Sequence, residues 1–143
     1  MHSPGIRHMV SSGYRMALHW TINSKERLFI GTGEGEVTFE NAKSLLDAVA
    51  GASAYSYRKL FDGRAAHSTM SGEELLMLSA QIRAYHDQET MGALALVIPE
   101  PTVELGRLLG ALAAADRPMK VFPSLRPART WLDQQPEVCS GPP

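Results

Sequence analysis

The stretch 58-RKLFDGRAAHSTMSGEELLML-78 decides how the chain is folded. A short apolar run, 57-YRKLF-61, has strand character and ends in Asp62-Gly63-Arg64. An Asp-Gly pair after a strand reads as a turn. His67 and three hydroxyl residues follow, Ser68, Thr69 and Ser71. Ser71 and Glu74 then form S-x-x-E, the pattern of a capping box, in which each residue satisfies a free backbone N–H of the other at a helix start. Leu75, Leu78, Ile82 and Tyr85 mark one face of the helix it opens. The stretch is therefore expected to be a strand, a connection over 62–72, and a helix.

The same alternation continues on both sides. Upstream, Met16, Leu18, Trp20 and Ile22 alternate with Ala17, His19 and Thr21, which predicts a strand with one buried face. Asn23-Ser24-Lys25-Glu26 is a polar turn, and 27-RLFIGTGEGEV-37 returns antiparallel, with glycines that allow bulges. Thr38 caps a helix whose face is Phe39, Ala42, Leu45, Leu46 and Val49 and which stops at Gly51. Downstream, Gly92 precedes 93-ALALVIP-99, a continuous apolar run that fits a central strand covered on both faces. Pro101 or Thr102 opens a helix with Leu105, Leu108, Leu109 and Leu112 on its apolar stripe. In that helix Gly106, Gly110 and Ala114 stand four apart, as in a ridge for close packing. Then 119-MKVFP-123 is a short strand. Ser124 caps a last helix with Leu125, Ala128, Trp131 and Leu132 facing inward, and Pro127 falls harmlessly in its first turn. The order ββαβαβαβα implies an α/β fold with a mostly parallel sheet of about five strands and the first strand antiparallel at an edge.

Totals exclude several function classes. The 143 residues suit one domain, and a formal net charge of −1 supplies no strongly basic face for nucleic acid. Cys139, the single cysteine, cannot form an internal disulfide, so a reducing, cytoplasmic setting is expected. It lies fifth from the end, where a prenylation signal needs the fourth. No apolar run approaches the roughly 20 residues that span a bilayer. Residues 1–14 read as a disordered leader or tag remnant, with Met16 as a second start, and 136–143 as a flexible tail.

The pieces 60-LFDGR-64, 94-LALVIP-99, 105-LGRLLGAL-112 and 117-RPMKVFPSLRPARTWL-132 resemble the STAS fold of sulfate transporters and anti-sigma factor antagonists. The nearest likeness is its SpoIIAA-like branch, grouped with SEC14-type domains. There a V-x-V-F strand precedes a helix ending in Ala-x-x-Trp-Leu, and Val121, Phe122, Ala128, Trp131 and Leu132 fit. The resemblance implies a STAS / SpoIIAA-like sandwich over residues 15–135 and a non-enzymatic protein-binding or regulatory module. In anti-sigma factor antagonists the strand-to-helix loop carries Asp-Ser-Ser-Gly with a phosphorylated serine. Here Ser71 and Gly72 match the last two motif positions, Met70 replaces the preceding serine, and Thr69 replaces the Asp. Ser71, Thr69, Ser68, Asp62 and Gly72 are thus the candidate phosphorylation or partner-contact residues, with a plain helix cap as the simpler role of Ser71. The SEC14-like side implies an alternative, a carrier or sensor of a small apolar ligand, with Met77, Tyr85 and Trp20 as candidate pocket residues.

Other constellations are weaker. Arg117, Lys120, Arg126 and Arg129 form a candidate patch for an anion or an acidic partner. Asp62 and His67 are the closest thing to an acid–base pair. The 31-GTGEG-35 segment is not G-x-G-x-x-G, and Glu34 and Glu36 would repel a phosphate. His2, His8, His19, His67 and His86 show no zinc spacing. No metal, cofactor or catalytic constellation is expected.

Overall fold

A computed structural model describes residues 17–100 and 102–137. Met16, Pro101, Cys139, the leader 1–14 and residues 138–143 lie outside the described residues. The elements are β1 (Leu18–Asn23), β2 (Leu28–Val37), α1 (Phe39–Gly51), β3 (Arg58–Ser68), α2 (Gly72–Gln88), β4 (Leu94–Val97), α3 (Val103–Leu112), β5 (Met119–Phe122) and α4 (Leu125–Asp133). This is the ββαβαβαβα order expected from the sequence. The strands lie side by side in chain order. β1 pairs antiparallel with β2 at the edge, and every later pair is parallel.

Local chemistry fixes the helix starts. The Thr38 hydroxyl accepts from the Asn41 N–H at 3.2 Å, and Asn41 Oδ1 accepts from the Thr38 N–H at 2.9 Å. The Ser71 hydroxyl accepts from the Glu74 N–H at 3.1 Å, while the Glu74 carboxylate accepts from the Ser71 N–H at 2.9 Å. Thr102 caps α3 by accepting from the Leu105 N–H at 3.0 Å. Each cap satisfies donors that the first helical turn leaves free. Ser124 holds the cap position of α4 without a side-chain hydrogen bond.

The largest departure from the sequence reading is the length of β3. Asp62-Gly63 is not a turn: the strand runs on to Ser68, so residues 62–68 are not a loop. The cause is the partner. β2 is ten residues long and pairs with β3 up to Val37↔Ser68, so the exposed edge that would have ended the strand is occupied. A register shift between Thr32 and Glu34 absorbs an extra residue of β3, as a bulge does. Two helix-face readings also change. A Cβ on Gly106 or Gly110 would meet nothing within 4 Å among the described residues, so those two positions face away from the fold, while Ala114 packs against the helical core. Leu125 stays exposed, while Ala128 and Leu132 are fully buried.

The sheet is covered on both faces. On one face α4 seats Ala128 and Leu132 against Leu28, Leu60, Ala95, Val97 and Phe122. Burying a leucine side chain in this way stabilises by about 1.5–3 kcal/mol. β4 is buried at all four positions, as a central strand should be. Gly92, just before it, has no room for a side chain, since a Cβ would stand 2.4 Å from the Tyr57 carbonyl oxygen. On the other face α1, α2 and α3 pack on one another through Leu46, Leu78, Ile82, Leu108 and Ala111. α2 rests on α1 and α3 rather than on the strands.

The strands beneath that helical layer explain the gap. Gly31, Gly33 and Gly63 share this face with Phe61. A Cβ on each glycine would come within 3.3, 3.0 and 3.2 Å, respectively, of atoms of the Phe61 ring. The ring therefore lies down over glycine instead of standing up toward the helices. No side chain at these positions reaches far enough to pull α2 onto the sheet.

Candidate functional site: a roofed apolar cavity

The gap is a cavity of about 490 Å³. Its floor includes Phe29, Gly31, Phe61, Gly63, Leu94 and Leu96, and its roof Leu45, Leu46, Leu78, Ile82, Leu105 and Leu108. The volume and the apolar walls fall within the range of small-molecule sites. The cavity follows β3, from Lys59 to Ser68, a run of roughly 30 Å at strand rise.

The two ends differ. At the C-terminal end of β3 the lining residues Thr69, Thr102, Glu100 and Glu104 are exposed and form a polar mouth. At the other end the cavity meets Lys59, Met91 and Arg117. Lys59 is 6% exposed. Its Nζ donates to the Tyr55 and Tyr57 carbonyls at 2.5 and 2.7 Å. Burial holds the Lys59 ammonium well below its ordinary pKa; the nearby Arg117 charge lowers it further, and Glu89 opposes both. Burial pushes the Arg117 guanidinium down to about 10. Part of the Arg117 residue stays accessible, but its Nε is shut off from solvent and has no hydrogen-bond partner among the described residues. Its Nη1 donates to the Met91 thioether at 3.7 Å. Among the described residues no carboxylate forms an ion pair with either cation. Charges buried without a counter-ion are costly to stability and mark functional sites.

The sequence-predicted residues are dispersed. Asp62 is bound by Arg64, whose Nε and Nη2 donate to it at 2.9 and 2.8 Å, and these bonds hold its carboxyl below the usual carboxylate range. Asp62 is thus engaged by its neighbour two residues on, rather than by His67, which is exposed farther along β3. Ser68 accepts from the Met70 N–H at 3.3 Å, and the Thr69 hydroxyl donates to the Glu36 carboxylate. Ser68, Thr69, Ser71 and Gly72 do gather at the mouth end, where β3 gives way to α2. The basic cluster divides. Arg117 lines the cavity. Lys120 lies over the Phe122 ring at 5.5 Å, Arg129 pairs with Glu26 and Asp133 on the α4 side, and Arg126 is exposed. Met77, Tyr85 and Trp20 do not line the cavity, and Met77 is exposed. Among the described residues no cluster of three metal-ligating side chains occurs, and no helix is long and apolar enough to cross a membrane.

Lys59 was missed by sequence reasoning, although it carried a signal. In 57-YRKLF-61 it shares a strand face with Phe61, so a charge stands on an apolar face.

Comparison with known proteins bears on the fold. No family model matches the chain, and no curated protein matches it. Among solved structures, it is similar to a DUF3478-family protein of unknown function with a SpoIIAA-like fold from Shewanella loihica PV-4. The TM-score is 0.56 and the identity 16%, covering 86% of this chain and 99% of that one. It is also similar to an anti-sigma factor antagonist from Mycobacterium paratuberculosis, with TM-score 0.53 and 17% identity, covering 87% of this chain and 100% of that one. The fold is SpoIIAA-like. At these identities the likeness is one of architecture, the five-stranded mixed sheet with four helices seen among the described residues.

The buried lysine predicts a pH dependence. Its pKa is lower folded than unfolded, so the folded state binds fewer protons between the folded value and the ordinary 10.5. Stability must then rise as pH increases through that window. Denaturant unfolding from pH 7 to pH 10 is expected to show this rise, and Lys59→Met to reduce it. A profile that is flat, or unchanged in the variant, would contradict the burial of a charge at this end of the cavity.

Proposed function

We propose that this chain is a small non-enzymatic STAS-like module, working in the cytoplasm through residues 15–135, that carries or senses a small apolar ligand in the cavity under α1–α3. The cavity itself supports this reading. Apolar walls facing a space of about 490 Å³ lack partner atoms on that side and forgo their dispersion contacts. Water is a poor filler, because a buried water needs two to four polar partners and the walls are mostly aliphatic and aromatic. An apolar guest offsets the cost by restoring dispersion contacts along both layers. Native mass spectrometry of freshly purified protein is expected to show a constant added mass that denaturation releases. A clean chain mass, together with no saturable binding of a neutral long-chain alcohol such as decanol, would contradict the proposal.

A second reading, a protein-binding module of the anti-sigma factor antagonist kind, has its own support. The solved structure from Mycobacterium paratuberculosis carries that name. Here the start of α2 exposes Ser71 and Gly72, and Leu76 and Met77 follow on the same helix at 71% and 48% exposure. A phosphate on Ser71 would add negative charge at the start of α2 beside Glu73 and Glu74, and Ser71→Asp adds a charge there while keeping a side chain that can cap the helix. Pull-down from the native host is expected to recover a partner with the wild-type chain and lose it with Ser71→Asp. Identical recovery with both would argue against a switch at Ser71.

A further inference from the structure

The inner end of the cavity has a chemistry that an apolar guest alone does not use. Lys59 and Arg117 bring two cationic side chains to one end of an otherwise apolar space. Two of the three Nζ donors of Lys59 are taken by backbone carbonyls. Among the described residues the solvent-excluded Nε of Arg117 has no partner, and its Nη1 donates to a thioether, a weak acceptor. The planar, fork-shaped N–H groups of a guanidinium that lines such a space match the two oxygens of a carboxylate. Glu89 acts on Lys59 electrostatically, and among the described residues no acidic side chain makes an ion pair with it. Glu100 and Glu104 stand at the opposite end. The cavity thus has a mixed polar mouth, where Arg107 lies beside Glu104, and a cationic inner end, with an apolar wall between.

We infer that the ligand is a single-chain amphiphile with an anionic head, of the fatty-acid class, bound head-inward with its carboxylate on Arg117 and Lys59 and its chain along Phe61 toward the mouth. The inference rests on the cavity reading proposed above and assigns the ligand its head group and its direction. It also explains why two charges are buried where leucines would stabilise more. The ligand provides the missing counter-ion, so the cost of burial is recovered only in the complex.

Calorimetric titration of the intact chain with decanoate and with decanol, which share a chain length and differ in the head, tests this. Wild type is expected to bind decanoate at least about tenfold more tightly than decanol, as charge-assisted bonds to an enclosed guanidinium require. Arg117→Met and Lys59→Met should each bring decanoate toward the decanol level while leaving decanol unchanged. Arg126→Gln, on exposed α4, should alter neither. Equal binding of the two probes by wild type would overturn the inference while leaving the apolar cavity reading intact, and this comparison needs no variant to fold. A preference for decanoate that survives Arg117→Met would also overturn it. Failure of wild type to bind either probe would sink the cavity reading and this inference with it.

Discussion

The fold's central constraint is the packing of the Phe61 ring across Gly31, Gly33 and Gly63. In most α/β sheets large branched side chains stand up from the strands and draw the helices down. Here three of the positions that would do so carry no side chain, and the fourth lies flat. α2 therefore satisfies its apolar stripe on α1 and α3 through Leu78 and Ile82, while α1 also reaches the sheet, where Val49 is buried with Phe29, Trp20 and Ile22. That arrangement is stable only because the other face is packed conventionally. α4 closes on Leu28, Leu60, Ala95, Val97 and Phe122. One face holds the fold together and the other holds space.

The space has a direction because the chain does. In a parallel sheet all strand starts lie at one end and all strand ends at the other. Lys59 follows the start of β3, Met91 precedes β4 and Arg117 precedes β5, so the three converge at the start end. Ser68, Glu100, Thr102 and Glu104 come after strand ends and converge at the opposite one. Residues far apart in sequence thus become two chemically distinct ends of one cavity. The buried cations lower stability near neutral pH, a conflict between fold and charge that natural sequences tolerate at working sites.

Much of the architecture was legible in the sequence. Element order, the antiparallel edge strand, the central apolar strand and the caps at Thr38, Ser71 and Thr102 all follow from local periodicity and hydrogen-bonding chemistry. What was not legible depends on partners. Asp62-Gly63 looked like a turn because, alone, it would be one, and pairing with the long β2 overrides it. Gly106 and Gly110 of α3 looked like a packing surface, and only the layer order shows that no described residue lies against them. The site was hidden for the same reason. Arg117 was grouped with Lys120, Arg126 and Arg129 by closeness in sequence, whereas the sheet separates it from them and joins it to Lys59. The charge of Lys59 on the face of Phe61 was the one local clue.

The most direct test of the central claim is a crystal structure of the chain under xenon pressure, since xenon reports apolar space without needing a particular ligand. The account predicts density, from xenon or from a co-purified molecule, between Phe61, Leu96 and Leu78, with α2 held away from the strands. A sheet with Leu78 packed directly on Phe61 and no density between them would contradict it.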